Sequence, residues 1–378
     1  MPRFPSALRS VDGLLITAVA LMAVFGCIGL ASLGLRSTPP NFSLLTRQLI
    51  AIGIGVVALV VVARIDHHAW ERWWPAVAVA VGILLIGVLL VGTRIRGTRG
   101  WFALGGWTLQ PVEFAKIGLI LLQAVYFRRR ARLLDRFRTV LESAGITAAV
   151  VVPVLLQPDL GSAVILILVW LGMLFVIGLR KNHLIAIVAV ALVTVAIGWQ
   201  FFLHPYQRER ILTFLDPHRD PQGAGYNQRQ AVIAVGAGGL IGRGFGQGTQ
   251  SQLRFLPEAQ SDFLPAVFAE EFGFVGLMFL VAAVVVILLR CASVARRCPD
   301  DFSAAVVMGF ALLFGIQAFL NLGMNLGGVP VLGIPFPFVS AGGSAVVAFG
   351  LGLGIVSGIA RRTPRAERST YEFEVIPS

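Results

Sequence analysis

LPAVFAEEFGFVGLMFLVAAVVVILLR, residues 264–290, decides how the rest of the chain is read. From Phe272 to Leu289 it carries no charge. An uninterrupted apolar run of roughly 20 residues matches the ~30 Å of hydrocarbon in a bilayer. Its residues do not alternate apolar and polar, which excludes the strand of an outer-membrane barrel. Working outward, nine more segments of the same kind lie at about 12–35, 45–64, 74–92, 110–127, 142–157, 161–179, 183–203, 303–325 and 341–360. The chain therefore reads as an all-α integral membrane protein with about ten transmembrane helices. The fifth segment is short and ends at Gln157-Pro158-Asp159, so the fifth and sixth are expected as a bent hairpin.

Composition agrees. Of 378 residues, 57% are hydrophobic, only 13% are charged and a further 42 are glycine. Average soluble domains are roughly 25% charged. Only lipid covers so much apolar surface, which excludes a soluble enzyme and a disordered chain. The net charge of +12 would suggest nucleic acid in a soluble protein. In a membrane protein basic clusters set orientation, and long loops count little. Leaving aside the long loop at 204–263, one side receives 19 Lys/Arg, including Arg3, Arg9, Arg64, Arg72, Arg128–Arg130, Arg132 and Arg361, Arg362, Arg365 and Arg368. The other receives five: Arg36, Arg47, Arg94, Arg96 and Arg99. The first side is read as cytoplasm. An even span number puts both termini there, with residues 1–362 as one multi-pass membrane domain and 363–378 as a cytoplasmic tail.

The elaborate pieces then face outward: 93–110, the large extracytoplasmic loop 204–263, and the Pro-rich connection 326–340. The N-terminus has no clear small-residue cleavage site and reads as an uncleaved first span. Cys27, Cys291 and Cys298 form no disulfide or zinc pattern. His67, His68, His183, His204 and His218 form no ligand set. No nucleotide or organic cofactor is indicated.

Polar groups within lipid cost about 2.5–3.5 kcal/mol for a central charge, so they are candidate functional residues. Four sets qualify. In Gln110-Pro111-Val112-Glu113-Phe114-Ala115-Lys116, Pro111 suits a first helical turn. Glu113 and Lys116 share a face at i, i+3. They are either a mutually neutralising pair or a charged pocket for a diphosphate. In the second set, Asp262 stands at the mouth of the eighth span, either as a helix cap or as a carboxylate facing substrate. Two turns deeper, Glu270 and Glu271 read either as structural groups, the favoured reading for both, or as one carboxylate paired with a basic group and the other facing a polar cavity. The third set, Gly236-Ala237-Gly238-Gly239-Leu240-Ile241-Gly242-Arg243-Gly244, follows no strand of a βαβ unit. It reads as tight turns and close packing rather than nucleotide binding. The fourth set runs from Gly328 through Pro330, Pro335 and Pro337 to Ser340 and on to Ser344. Three prolines forbid a continuous helix. Such backbone must be buried in protein or line a cavity, either as a re-entrant wall or as a merely structural loop.

Together these residues resemble the SEDS family (shape, elongation, division and sporulation) of peptidoglycan glycosyltransferases. Asp216-Pro217 through Gly223-Ala224-Gly225-Tyr226 to Gly276 is similar to its large loop and following helix. Gly248-Thr249-Gln250-Ser251-Gln252-Leu253-Arg254-Phe255-Leu256-Pro257-Glu258 is more similar to the RodA (elongation) branch than to the FtsW (division) branch. Tyr206-Gln207-Arg208, Gln110 to Lys116, Gln157 to Gly161 and Pro330 to Ser344 also match. The chain departs from the family where Gly100 precedes Trp101, where Ser261 stands in place of Thr, and at Ala341.

The resemblance implies a lipid II polymerase in the bacterial cytoplasmic membrane, with Asp262 as its essential aspartate and Glu113 and Lys116 as a functional pair. Arg99, Trp101, Arg208, Arg210, Gln250, Glu258, Ser261, Ser340 and Ser344 are expected to bind substrate. Partners implied are a class B penicillin-binding protein (a transpeptidase), lipid II, the nascent glycan strand, membrane lipid and other elongation-complex proteins, and no nucleic acid. In the expected mechanism Asp262 deprotonates the acceptor hydroxyl. Lys116, outer-loop arginines or a divalent cation, Mg²⁺ or Mn²⁺, stabilise the leaving diphosphate, and Glu113 orients Lys116 or helps to bind the cation. The competing readings are a flippase for a lipid-linked precursor and a non-enzymatic scaffold.

Overall fold

The computed structural model describes residues 13–35, 39–95, 97–130, 136–202, 205–216 and 223–363. Arg3, Arg9, Arg36, Arg96, Arg132, Arg365, Arg368, His204, His218 and the tail 364–378 lie outside the described residues, and with them both expected cytoplasmic ends.

Helices form at all ten predicted segments. They are α1 (Gly13–Leu35), α2 (Ser43–Val62), a short α3 (His67–Arg72) between spans, α4 (Trp74–Val91), α5 (Pro111–Arg130), α6 (Phe137–Leu156), α7 (Leu160–Ile177) and α8 (Lys181–Ile197). In the large loop follow α9 (Pro205–Leu215), α10 (Ala224–Gly238) and α11 (Thr249–Gln252), and then α12 (Leu264–Ala295), α13 (Asp301–Asn325) and α14 (Gly343–Arg362). Eight of these, all but the short ones, α5 and α8, are long and apolar enough to cross a membrane. α5 falls outside that set because it carries Glu113, Lys116 and three terminal arginines. The fifth span begins earlier than expected, at Phe137, so it is full length, with Pro153 inside it. Local chemistry fixes the ends. Pro111 opens α5, Asp159 accepts from Ser162 N at the start of α7, and Asp300 does the same for Ser303 at α13.

The outer faces are apolar: Leu90 is 69% and Phe175 73% exposed, which only a lipid surround accounts for. The centre is α13 and α14, whose buried faces include Phe310, Phe314 and Phe349. α14 lies along α2 on a stripe of small residues. A Cβ at Gly350 would stand 2.6 Å from Gly55 O, and one at Gly354 2.8 Å from Leu59 O. Close backbone approach through small residues at i, i+4 is how helices associate in lipid, where no hydrophobic force distinguishes partner from solvent.

Residues 93–109 depart from an all-helical chain. They fold as an antiparallel sheet of β1 (Thr93–Ile95), β2 (Thr98–Leu104) and β3 (Trp107–Leu109), in that order. Leu104 pairs with Trp107, so Gly105-Gly106 is a two-residue turn. Both glycines have positive φ (54° and 89°), as a type I′ hairpin requires.

α12 is broken at Gly273, where φ is 70° and ψ −167°. A continuous helix would pair Phe274 N with Glu270 O and Val275 N with Glu271 O. Instead Arg243 N donates to Glu270 O and Gly244 N to Glu271 O, while Phe274 N donates to Gly239 O and Val275 N to Leu240 O. All four groups released by the break are taken by the glycine-rich stretch. Gly242 must approach closely to do this, since a Cβ there would stand 2.1 Å from Glu271 O. The expectation of tight turns and close packing at 236–244 is thus realised, and the large loop is stapled into the bundle.

Candidate active site

Two adjoining cavities, of about 270 and 500 Å³, open where β2 and β3, the end of the large loop and the non-helical segment 326–342 converge. Both are lined by Trp101, Thr108, Gln110, Ser261, Asp262 and Gly333. The smaller adds Arg47, Gln48 and Ser344, and the larger adds Asp159, Arg210 and Gln260.

Asp262 belongs to the wall common to both. Its presentation is built from the backbone. Glu258, at a positive φ of 56°, offers its carbonyl to Ser261 N and Asp262 N, and its carboxylate accepts from Ser261 Oγ at 3.3 Å. Asn321 Nδ2 and Asn325 Nδ2 each donate to Asp262 O at 3.0 Å. Asn325 Oδ1 accepts from Ala266 N, in the first turn of α12. The cap residue of α12 is Phe263, one position beyond Asp262. Gly333 brings the opposite wall close, since a Cβ there would stand 3.8 Å from Asp262 Oδ2.

The Pro-rich segment is both buried and cavity-lining. Gln317 Nε2 donates to Pro335 O at 3.0 Å and Asn321 Nδ2 to Ile334 O at 2.7 Å. Ser340 Oγ accepts from Phe336 N, and Gln48 Nε2 donates to Ser340 O. Gly333 and Pro335 face the cleft. Phe338 faces an apolar groove of about 620 Å³ between α1 and α2. The segment therefore separates a polar cleft from a lipid-like groove, the re-entrant wall of the two alternatives.

Several expected site residues lie elsewhere. Glu113 and Lys116 line neither cavity. They are 3% and 2% exposed, with Lys116 Nζ 2.7 Å from Glu113 Oε1 and 3.0 Å from Gln317 Oε1. The expected diphosphate contact by Lys116 is not what this geometry provides, because its charge is spent inside the bundle. Lys116 reaches the cleft only through Gln317 and the Pro335 carbonyl. Arg99 donates to Gly92 O at 3.0 Å and Leu90 O at 2.7 Å, so it caps the end of α4. Arg208 donates to Gln200 O. Gln250 lines neither cavity, and its N donates to Glu270 Oε1 at 2.8 Å. Ser340 is buried in its own segment. Trp101, Arg210, Ser261, Asp262 and Ser344 are the expected residues that meet in the cleft.

Glu270 and Glu271 take structural roles, and among the described residues neither lies within ion-pair distance of a basic group. Glu270, fully buried, accepts from Thr249 Oγ1 and from Ser251 N and Oγ. Glu271 accepts from Ser32 Oγ and from Gln252 Nε2. Both hold the loop that carries Asp262.

Residues overlooked at the sequence level are Arg47, the second cleft arginine, and the ladder Gln317, Asn321, Asn325. The ladder was legible as amides at i, i+4, i+8 within an otherwise apolar span, which places them on one helical face.

A cation test is possible on the donors present. Among the described residues, the one group of ligand atoms close enough to gather round an ion is Asp66, His67 and His68. Each has local work. Asp66 accepts from His68 N, His67 faces Asp300, and His68 faces Glu71. Burial holds the His67 imidazole below its usual pKa. The cleft offers the carboxylates of Asp262 and Asp159. That set is too small for a closed metal site, but Mg²⁺ commonly binds through one or two carboxylates plus substrate phosphates.

A family model described as "Cell cycle protein", for FtsW, RodA and SpoVE, matches residues 12–365. The chain belongs to the FtsW/RodA/SpoVE family. Among relatives, peptidoglycan glycosyltransferase MrdB of Escherichia coli K12 is 38% identical over 323 residues, covering 84% of this chain and 86% of the relative. Stage V sporulation protein E of Bacillus subtilis is 32% identical, covering 85% and 88%. Among solved structures, a chain from "Structural coordination of polymerization and crosslinking by a peptidoglycan synthase complex" matches with a TM-score of 0.79 at 34% identity, over 93% of this chain and 98% of that one. Thermus thermophilus Rod shape determining protein RodA matches with a TM-score of 0.69 at 30% identity, over 94% and 98%. The FtsW/RodA/SpoVE fold thus spans the whole described bundle, the cleft included.

Proposed function

We propose that Asp262 is the general base of a sugar transfer at the outer mouth of this bundle. The chain is a peptidoglycan glycosyltransferase, an integral multi-pass protein of the bacterial cytoplasmic membrane, as its family and its relatives support. The observation that carries the mechanism is Asp262 in the wall shared by two cavities, each with one arginine. One cavity holds the lipid-linked glycan strand as donor and the other a lipid II acceptor. Asp262 takes the proton of the acceptor hydroxyl as its oxygen attacks the anomeric carbon. The anomeric C–O bond breaks and the diphosphate leaves with the electron pair, inverting that centre. Arg47 and Arg210 stabilise the charge of the departing diphosphate. Holding both substrates against one carboxylate turns an encounter into a positioned step.

Glu113, Lys116 and Gln317 act as positioning residues on the wall opposite Asp262. A divalent cation, if carried in with the diphosphate, would be met by Asp262 and Asp159 and would supply neutralising charge. The chain's place in cell elongation, with a class B penicillin-binding protein as crosslinking partner, is our reading of the RodA-like loop and of the synthase-complex neighbour.

The test is polymerisation of labelled lipid II by purified protein, with and without Mg²⁺ or Mn²⁺ and the partner. A positioned base contributes ~10²–10⁴-fold, so Asp262→Asn is expected to lose at least about a hundredfold at unchanged folding. Equal polymer from both proteins would remove Asp262 from the chemistry.

A further inference from the structure

At the membrane face that carries Arg128, Arg129 and Arg130, far from the cleft, an apolar cavity of about 420 Å³ opens between α4, α5 and α6. Its walls include Val81 and Leu85 of α4, Val125 of α5, and Val150 and Pro153 of α6. It extends from Trp74 to Ile86 on α4, a rise of about 18 Å. That is slightly more than one leaflet of a ~30 Å hydrocarbon core. Its mouth differs in character. Trp74, Tyr126 and Arg129 ring it, and the Arg129 guanidinium sits 5.5 Å from the centre of the Trp74 ring. Of the neighbouring cations, Arg128 is engaged by Glu71 and Arg138 by Glu142. Among the described residues no carboxylate lies within ion-pair distance of Arg129.

We propose that this cavity binds one anionic phospholipid, its phosphate on Arg129 and one acyl chain lying along α4. Three features favour that occupant. The cavity has the length of a single leaflet, so it takes one chain rather than a spanning helix. At the mouth Glu142 accepts from Tyr126 Oη and pairs with Arg138, which leaves Arg129 as a mouth cation that no carboxylate of the described residues meets within ion-pair distance. Tryptophan and tyrosine at the mouth belong to the head-group level of a bilayer, where aromatic belts sit. Basic pockets between spans are where anionic head groups are held.

The test uses native mass spectrometry of the protein released from bilayers of equal dioleoyl phosphatidylglycerol and dioleoyl phosphatidylcholine. Wild type is expected to retain the anionic lipid in excess. Arg129→Gln is expected to cut that excess about fivefold, the weight of one basic residue at a membrane surface, without changing retention of phosphatidylcholine. Gly82 lines the cavity, and a Cβ there meets nothing within 4 Å. Gly82→Phe therefore fills the space without disturbing a helix contact, and is expected to reduce retention of both lipids. Gly82→Leu gives the same readout should the larger ring lower the melting temperature. Equal retention of the two lipids by wild type, an undiminished excess in Arg129→Gln, or a polypeptide retained at this face instead of lipid would each overturn the proposal.

Discussion

Two asparagine amides grip the carbonyl oxygen of Asp262 at 3.0 Å each, and one of them also holds Ile334 O. The carboxylate and the wall facing it are thereby referenced to one face of α13. Asn321→Leu takes the donor from Ile334 O, a loss of about 1–3 kcal/mol when buried, and leaves Asp262 O held by Asn325 alone. The expected outcome is a fall in polymerisation of about 10²-fold, the scale of a 1 Å misplacement. kcat should fall more than KM, and circular dichroism should show a folded protein. Lys116 behaves differently. Lys116→Met strands Glu113, and breaking a buried pair costs about 3–5 kcal/mol. The double variant Glu113→Gln/Lys116→Met should recover much of that stability in a thermal melt but not the activity, because Gln317 has still lost its charged neighbour. A third expectation concerns a thiol. Burial pushes Cys298 up to about 11 from 9.0, so its thiolate is scarce at neutral pH. Alkylation by iodoacetamide should be about a hundredfold slower than for an unperturbed thiol and should accelerate on unfolding.

The elements show what patterning reveals and what it hides. All ten apolar segments become helices because a run that is apolar all round has one solution in lipid, with its backbone satisfied internally. The break at Gly273 was hidden, since it depends on a partner 30 residues upstream that supplies the replacement hydrogen bonds. Gly273→Ala places a methyl 2.3 Å from Gly242 N in a backbone conformation alanine disfavours. It should release the 239–244 stretch, read as faster hydrogen exchange and easier proteolysis there while α13 and α14 stay protected. The hairpin at 98–109 was legible and overlooked. Trp-Phe-Ala-Leu-Gly-Gly-Trp-Thr-Leu carries the two-residue glycine turn plainly, but its strands are too short to stand out beside spans of 20 residues. Lys116 shows the opposite limit. Its spacing from Glu113 gave the pair correctly, whereas which way the pair faces depends on Gln317, about 200 positions away.

For the whole molecule, the basic asymmetry that orients the bundle predicts two accessible faces. In sealed vesicles, a cysteine introduced as Arg361→Cys should react with impermeant maleimide only in inverted preparations. One introduced as Trp107→Cys should react only in right-side-out ones. The reverse pattern would put the cleft on the cytoplasmic side and end the case for extracytoplasmic chemistry. At this scale the cleft is also a pair of compartments with a shared wall that includes Asp262. An inhibitor with two anionic heads joined by a short tether could seat one on Arg47 and the other on Arg210, straddling Asp262. Its second contact would be intramolecular, at an effective concentration in the millimolar range for a short linker, so two weak ligands would combine into a strong one. A tether too short to reach across the partition would gain nothing, and the tether length at which potency rises would measure the distance between the two binding sites.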